Sequence, residues 1–194
     1  MRAGILVLGP LISKYKKATT SLPGGCLIGA RPVNFHLNVL GKLGMTHSIK
    51  KGYIYANAHK GLKGSIIKFP KISVGATENA ILAATLAKGK TILKNCAIEP
   101  EIKIDLTNFL NKAGAKIKWI GKRSVEIDGV KKLNSISYSV MADRIECGTF
   151  CVVAAISKGE LKINGLDPNI ITTEIKLLKK IGAKIKTYDK TILI

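Results

Sequence analysis

The chain has 194 residues, 46% of them hydrophobic, with a formal net charge of +20 and an isoelectric point near 9.9. That size and apolar content support a packed core in one or two domains and exclude an intrinsically disordered chain. Aromatics make up 5% of the residues, and the lysines are dispersed. The composition therefore predicts no stacking platform for single strands, zinc finger or RNP-like run, and only nonspecific attraction to polyanions.

The N-terminal apolar run over residues 3–12 imitates a signal peptide, but Gly9 and Pro10 interrupt it and no convincing cleavage site follows. It fits a buried helix better, and no run in the chain approaches membrane-spanning length. Next comes Pro23-Gly24-Gly25-Cys26-Leu27-Ile28-Gly29-Ala30-Arg31-Pro32. Paired glycines between prolines predict a loop that can present a thiol and withdraw it. A nearby cation lowers a thiol pKa and can hold a substrate anion. Cys96, Cys147 and Cys151 lie in or beside apolar segments and read as buried thiols, so a reducing cytoplasm is the default compartment. No metal-ligand cluster is legible, and His47 and His59 carry no catalytic pattern.

A repeat of about 70 residues organises the rest. Leu40-Gly41-Lys42-Leu43-Gly44, Leu110-Asn111-Lys112-Ala113-Gly114 and Leu178-Lys179-Lys180-Ile181-Gly182 correspond, each followed by a pair of short strands. Between them, Ala80–Gly89 matches Phe150–Gly159. These two runs predict helices buried on more than one face, ending with Gly89 and Gly159 as C-terminal caps. Alternating Lys and Ile in the strands predicts one wet face. The reading is an α/β repeat architecture, with one partial unit, one complete unit and one cut at Ile194.

Several blocks then fall in the order of a known family. The Cys26 loop, Arg31-Pro32-Val33-Asn34-Phe35-His36-Leu37, Lys71-Ile72-Ser73-Val74, Glu99-Pro100-Glu101 and Asp143–Phe150 resemble the UDP-N-acetylglucosamine 1-carboxyvinyltransferases, the enolpyruvyl transferases that begin peptidoglycan precursor synthesis. The Pro-Gly-Gly-Cys loop sets these apart from the shikimate-pathway synthase of the same fold. The resemblance implies an inside-out α/β barrel of repeated units, truncated at both ends. Residues 1–141 would belong to the lobe with the active-site loop and nucleotide site, and residues 142–194 would start the second lobe.

It also implies the chemistry. The 3′-hydroxyl of UDP-N-acetylglucosamine adds to C2 of phosphoenolpyruvate, and phosphate is expelled. Cys26 would be the acid, and its thiolate would attack phosphoenolpyruvate or the epoxide fosfomycin. Arg2 and Arg31 would hold phosphate or diphosphate, while Pro32, Val33, Asn34, Phe35, Lys71, Ile72, Ser73 and Val74 would bind the nucleotide sugar. No metal or organic cofactor is implied, and neither a membrane nor a specific nucleic acid is expected as a partner.

Two departures bear on affinity: Asn34 stands where the family has Asp, and Ile98 where it has Arg. The family's Lys-Asn pair for phosphoenolpyruvate and its aspartate for the sugar hydroxyl have no counterparts here. The expectation is a shortened reading frame whose isolated chain turns over poorly or not at all, with a complementing second chain as a candidate partner. Two alternatives stay open: an inactive fragment that binds UDP-sugar or such a chain, and a basic nucleic-acid-binding protein. Without the resemblance, Lys71 and Ser73 read as a solvated turn and a helix cap, and Arg144 with Glu146 as an exposed ion pair.

Overall fold

The computed structural model describes residues 2–24 and 33–194. The chain divides after Tyr138 into two compact units. In the first, a 3-10 segment, Arg2–Val7, runs into α1 (Leu8–Tyr15), then β1 (Lys17–Ser21), α2 (Asn34–Lys42), β2 (Thr46–Lys50) and β3 (Tyr53–Asn57). There follow β4 (Ile66–Lys68), α3 (Val74–Ala84), β5 (Lys90–Lys94), a π-helical stretch Glu101–Leu106, α4 (Thr107–Lys112), β6 (Lys116–Gly121) and β7 (Ser124–Asp128). The second unit holds α5 (Arg144–Ser157), β8 (Lys162–Asn164), a 3-10 turn Pro168–Ile171, α6 (Thr172–Lys180), β9 (Lys186–Tyr188) and β10 (Thr191–Leu193). No helix among the described residues is long and apolar enough to cross a membrane.

The repeat is visible in the strand orders β1-β3-β2, β4-β5-β7-β6 and β8-β10-β9. In each, a hairpin places its second strand beside the strand that preceded the helix, and all these pairs are antiparallel. Only the middle sheet gains a fourth strand, β4, which lies parallel to β5.

The three helices before the hairpins end alike. Gly44, Gly114 and Gly182 have φ of 103°, 99° and 104°, a region that strains any residue with a Cβ. Gly44 N–H donates to Gly41 O at 2.9 Å and Met45 N–H to Leu40 O at 3.0 Å, closing a Schellman motif. The same two bonds recur at Gly114/Ala115 and at Gly182/Ala183.

The expected caps at Gly89 and Gly159 do not form. α3 stops at Ala84, where Thr85 turns its hydroxyl back to Ile81 O at 2.9 Å, and Gly89 (φ 90°) instead makes the turn into β5. At the end of α5 the left-handed position falls on Lys158 (φ 54°), one residue before Gly159. Gly9 and Pro10, which interrupt the apolar run, lie in the first turn of α1. There a missing N–H costs no intrahelical bond.

α3 is the centre of the first unit, packed by both α1 and α2. Its Ala76, Asn79, Ala80, Ile81, Ala83 and Ala84 are fully buried. α5, its repeat counterpart, departs from the expected all-round burial. It buries Ala154, and packs Cys147 and Cys151 in one cluster with Leu166, Ile171, Ile175 and Leu178, while Ile145, Phe150, Val153 and Ile156 are exposed.

Candidate active site

The first turns of α2 and α3 lie side by side, which brings together two segments 40 residues apart in sequence. Gly75 makes this approach possible: a Cβ there would stand 3.1 Å from Cε1 of His36. Val33 precedes α2 half-buried, Asn34 opens the helix exposed, and Phe35 packs partly against the core. Lys71, Ile72 and Val74 are exposed ahead of and at the start of α3. Ser73 is the N-cap, its Oγ accepting from Ala76 N–H at 3.4 Å. The hydroxyl is thus turned to its own helix, while the other first-turn amides of α3 are left with the partial positive charge of a helix start. Beside these turns a shallow surface groove is lined by Phe35, Asn38, Val39 and Lys42 of α2 and by Ile67, Lys68, Phe69 and Pro70.

One buried polar residue holds this arrangement. Asn79, with no exposed surface, accepts from Gly9 N–H at 2.7 Å through Oδ1. Its Nδ2 donates to Ile5 O at 3.0 Å and meets His36 Nδ1 at 3.1 Å. Because Asn79 Nδ2 is the donor, His36 Nδ1 must be an acceptor, and the ring is neutral with its proton on Nε2. Burial also lowers the His36 pKa, in the same direction. Motif spacing does not single out His36 and Asn79 as site-forming residues. A usable signal is nevertheless present: Asn79 directly precedes the apolar run Ala80–Ala84, where a buried polar side chain implies a hydrogen-bond network.

The Glu99-Pro100-Glu101 block is tethered to the same helix. Thr77 Oγ1 donates to Ser73 O at 2.7 Å and accepts from Ala97 N–H at 3.1 Å. Burial raises the Glu78 pKa first, and the nearby carboxylates Glu101 and then Glu99 push it further up. The π-helical stretch that follows is a geometry often found near functional sites.

Cys26, Arg31 and Pro32 lie outside the described residues. Arg2 begins the 3-10 segment that leads to α1. The other three cysteines are buried. Burial is the main cause that pushes the Cys96 thiol up to about 12 and Cys147 up to about 11, and it raises Cys151 as well. None of these three is a thiolate at neutral pH. Arg144 forms an ion pair with Glu174 of α6 at 3.6 Å, a longer-range partner than the neighbouring Glu146, while Asp143 caps α5 by accepting from Ile145 and Glu146 N–H. Among the described residues no His, Cys, Asp and Glu group could hold a metal ion.

Comparison with known proteins places this geometry. The chain is 62% identical over 194 residues, all of its length, to the UDP-N-acetylglucosamine 1-carboxyvinyltransferase of Pelagibacter ubique (strain HTCC1062), covering 46% of that protein. It is 53% identical over 192 residues, 99% of its length, to the enzyme of the same name from Rickettsia akari (strain Hartford), again covering 46%. The chain thus spans about half the length of the curated relatives it matches. In structure it is similar to the enolpyruvyl transferase NikO from Streptomyces tendae, with a TM-score of 0.76 and 20% identity over 97% of this chain and 46% of that one. It also resembles an EPSP synthase from Acinetobacter baumannii, with a TM-score of 0.71 and 22% identity over 100% of this chain and 46% of that one. At these identities the two structures establish the enolpyruvyl transferase fold. The model of the EPSP synthase (3-phosphoshikimate 1-carboxyvinyltransferase) family matches residues 1–194, and the chain belongs to that family.

Proposed function

We propose that this chain serves enolpyruvyl transfer from phosphoenolpyruvate to the 3′-hydroxyl of UDP-N-acetylglucosamine, in the cytoplasm and at the start of peptidoglycan precursor synthesis. The observation that carries the reading is the 62% identity along the whole chain to a relative with that name. The adjoining first turns of α2 and α3 support it. They bring Val33, Asn34 and Phe35 close to Lys71, Ile72, Ser73 and Val74, with helix-start amides suited to a diphosphate.

In the reaction the sugar oxygen attacks C2 while a proton is delivered to C3. Loss of the C3 proton and of inorganic phosphate then restores the double bond. Cys26 is the acid in this proposal, and Arg2 and Arg31 balance phosphate charge. Its thiolate would also open the epoxide of fosfomycin. We assign residues 1–141 to the lobe with the nucleotide site and residues 142–194 to the start of the second lobe, close to the division into two compact units after Tyr138. A complementing chain is part of the proposal. The exposed Phe150 and Val153 of α5 occupy repeat positions that are fully buried as Ala80 and Ala83 in α3, where α1 and α2 supply the cover.

Isothermal titration with UDP-N-acetylglucosamine tests the reading. The expected result is saturable one-site binding, weakened at least tenfold in Lys71→Ala and Arg31→Ala. Absence of binding by the folded parent, or binding indifferent to both variants, would remove the nucleotide site from this chain.

A further inference from the structure

The sheet β1-β3-β2 turns an unusual face outward. On its central strand Ile54 and Ala56 are buried, whereas Tyr53 and Tyr55 are 48% and 45% exposed. The two rings leave the same face one pleat repeat apart, about 6.8 Å. Tyr55 is flanked by Thr19 and Ser48, and Tyr53 by Ser21 and Lys50. Lys17 and Thr46 flank Asn57, the next position on the same face. Lys17 and Lys50 therefore stand at opposite corners of the tyrosine pair. Lys51 follows in the adjoining turn.

The middle sheet provides an internal control. Its central strand, β7, places Glu126 and Asp128 where β3 has Tyr55 and Asn57. Lys90 reaches those carboxylates at 3.1 and 3.8 Å. There Lys90 is neutralised within the sheet, as on an ordinary solvated surface. Nothing comparable is available to the first sheet from its own part of the chain, because the first acidic residue in the sequence is Glu78. The strand pairing brings onto one open face two tyrosines that look unremarkable in sequence.

We propose that this face binds single-stranded nucleic acid without sequence preference, stacking bases on Tyr53 and Tyr55 and holding phosphates with Lys17 and Lys50. Flat rings at the centre of an antiparallel sheet suit unpaired bases, since every base has a π-face, and the flanking cations suit the backbone. Neither feature recognises a duplex, whose bases are stacked on one another. The inference is independent of the transferase reading and concerns a different surface.

Fluorescence anisotropy of a labelled 12-nucleotide oligothymidylate on the full chain tests it, with labelled heparin as a polyanion that lacks bases. Tyr53→Ala with Tyr55→Ala should weaken oligothymidylate binding by at least tenfold, on the order of fivefold or more per ring, and leave heparin binding unchanged. Tyr53→Phe with Tyr55→Phe keeps the rings and should retain affinity within twofold. Lys17→Gln and Lys50→Gln should each flatten the log–log salt dependence by about 0.7. All positions are exposed, and circular dichroism checks that the fold survives. No binding by the parent overturns the proposal, and so does equal affinity of the alanine variant. Equal loss of heparin and oligothymidylate would overturn it in favour of an anionic glycan.

Discussion

Asn79→Ala should be among the most damaging single substitutions in the first unit. The side chain is fully buried and serves three partners on three segments: Gly9 N–H, Ile5 O and His36 Nδ1. Gly9 N–H, in the first turn of α1, and Ile5 O, in the 3-10 segment before it, both have the Asn79 amide as partner. Each buried group left unsatisfied costs about 1–3 kcal/mol, and with each of the three partners taken toward the low end of that range, because the helices relax, the loss is roughly 3–5 kcal/mol. That is a large share of the ~5–15 kcal/mol that holds a typical domain folded. Urea denaturation followed through Trp119, which is half-buried and donates its indole N–H to Thr107 Oγ1 at 3.1 Å, reports on this unit. With a denaturant slope near ~2 kcal/mol/M, the midpoint should fall by about 1.5–2.5 M. A shift below about 0.5 M with an unchanged slope would refute the hub, since it corresponds to only ~1 kcal/mol. Asn79→Asp supplies a second check: a carboxylate beside Nδ1 favours the imidazolium, so the His36 pKa should rise in an NMR titration.

His36 also makes stability depend on pH. Its folded pKa is lowered below the ordinary 6.5, so the unfolded chain binds the extra proton and stability falls as pH drops below 6.5. Thermal unfolding of His36→Phe should lack that decline, and an identical pH profile would count against the assignment. Asn34→Asp should stabilise the protein by about 0.3–1 kcal/mol even without ligand, because the first turn of α2 has no acidic residue to meet its dipole. If the carboxylate also contacts the nucleotide, titration calorimetry should show tighter UDP-N-acetylglucosamine binding, and an unchanged isotherm would argue against that contact. Brief iodoacetamide treatment at pH 7.5 followed by peptide mapping should label Cys26 first. Early labelling of Cys96, Cys147 or Cys151 would contradict their raised pKa values and burial. Gly114→Ala, at φ 99°, should cost about 1–2 kcal/mol by chemical denaturation; a neutral effect would mean that the cap rearranges freely.

The sequence alone determined whatever repeats locally. The Leu-x-x-x-Gly endings of α2, α4 and α6 were legible because a left-handed cap needs glycine and leaves that mark wherever the helix stops. The strand pairs after them were legible because Lys/Ile alternation has the period of a pleat. The family blocks were legible as ordered strings, Cys26 through Glu101, whatever their side chains do in space.

Tertiary structure decided the rest, because it depends on what lies opposite. Gly89 and Gly159 look like caps, yet Thr85 closes α3 early through its own hydroxyl and Lys158 takes the left-handed position after α5. α3 and α5 have similar apolar content, but α3 is buried because α1 and α2 cover it, while α5 leaves Phe150 and Val153 exposed. His36 and Asn79 are 43 residues apart, and only the crossing of α2 and α3 makes them partners. Tyr53 and Tyr55 become a single surface only when β3 is held between β1 and β2 with its alternate residues in the core. Periodicity fixes which residues share a face of one element; contact between elements fixes whether that face is dry, paired or open to a ligand.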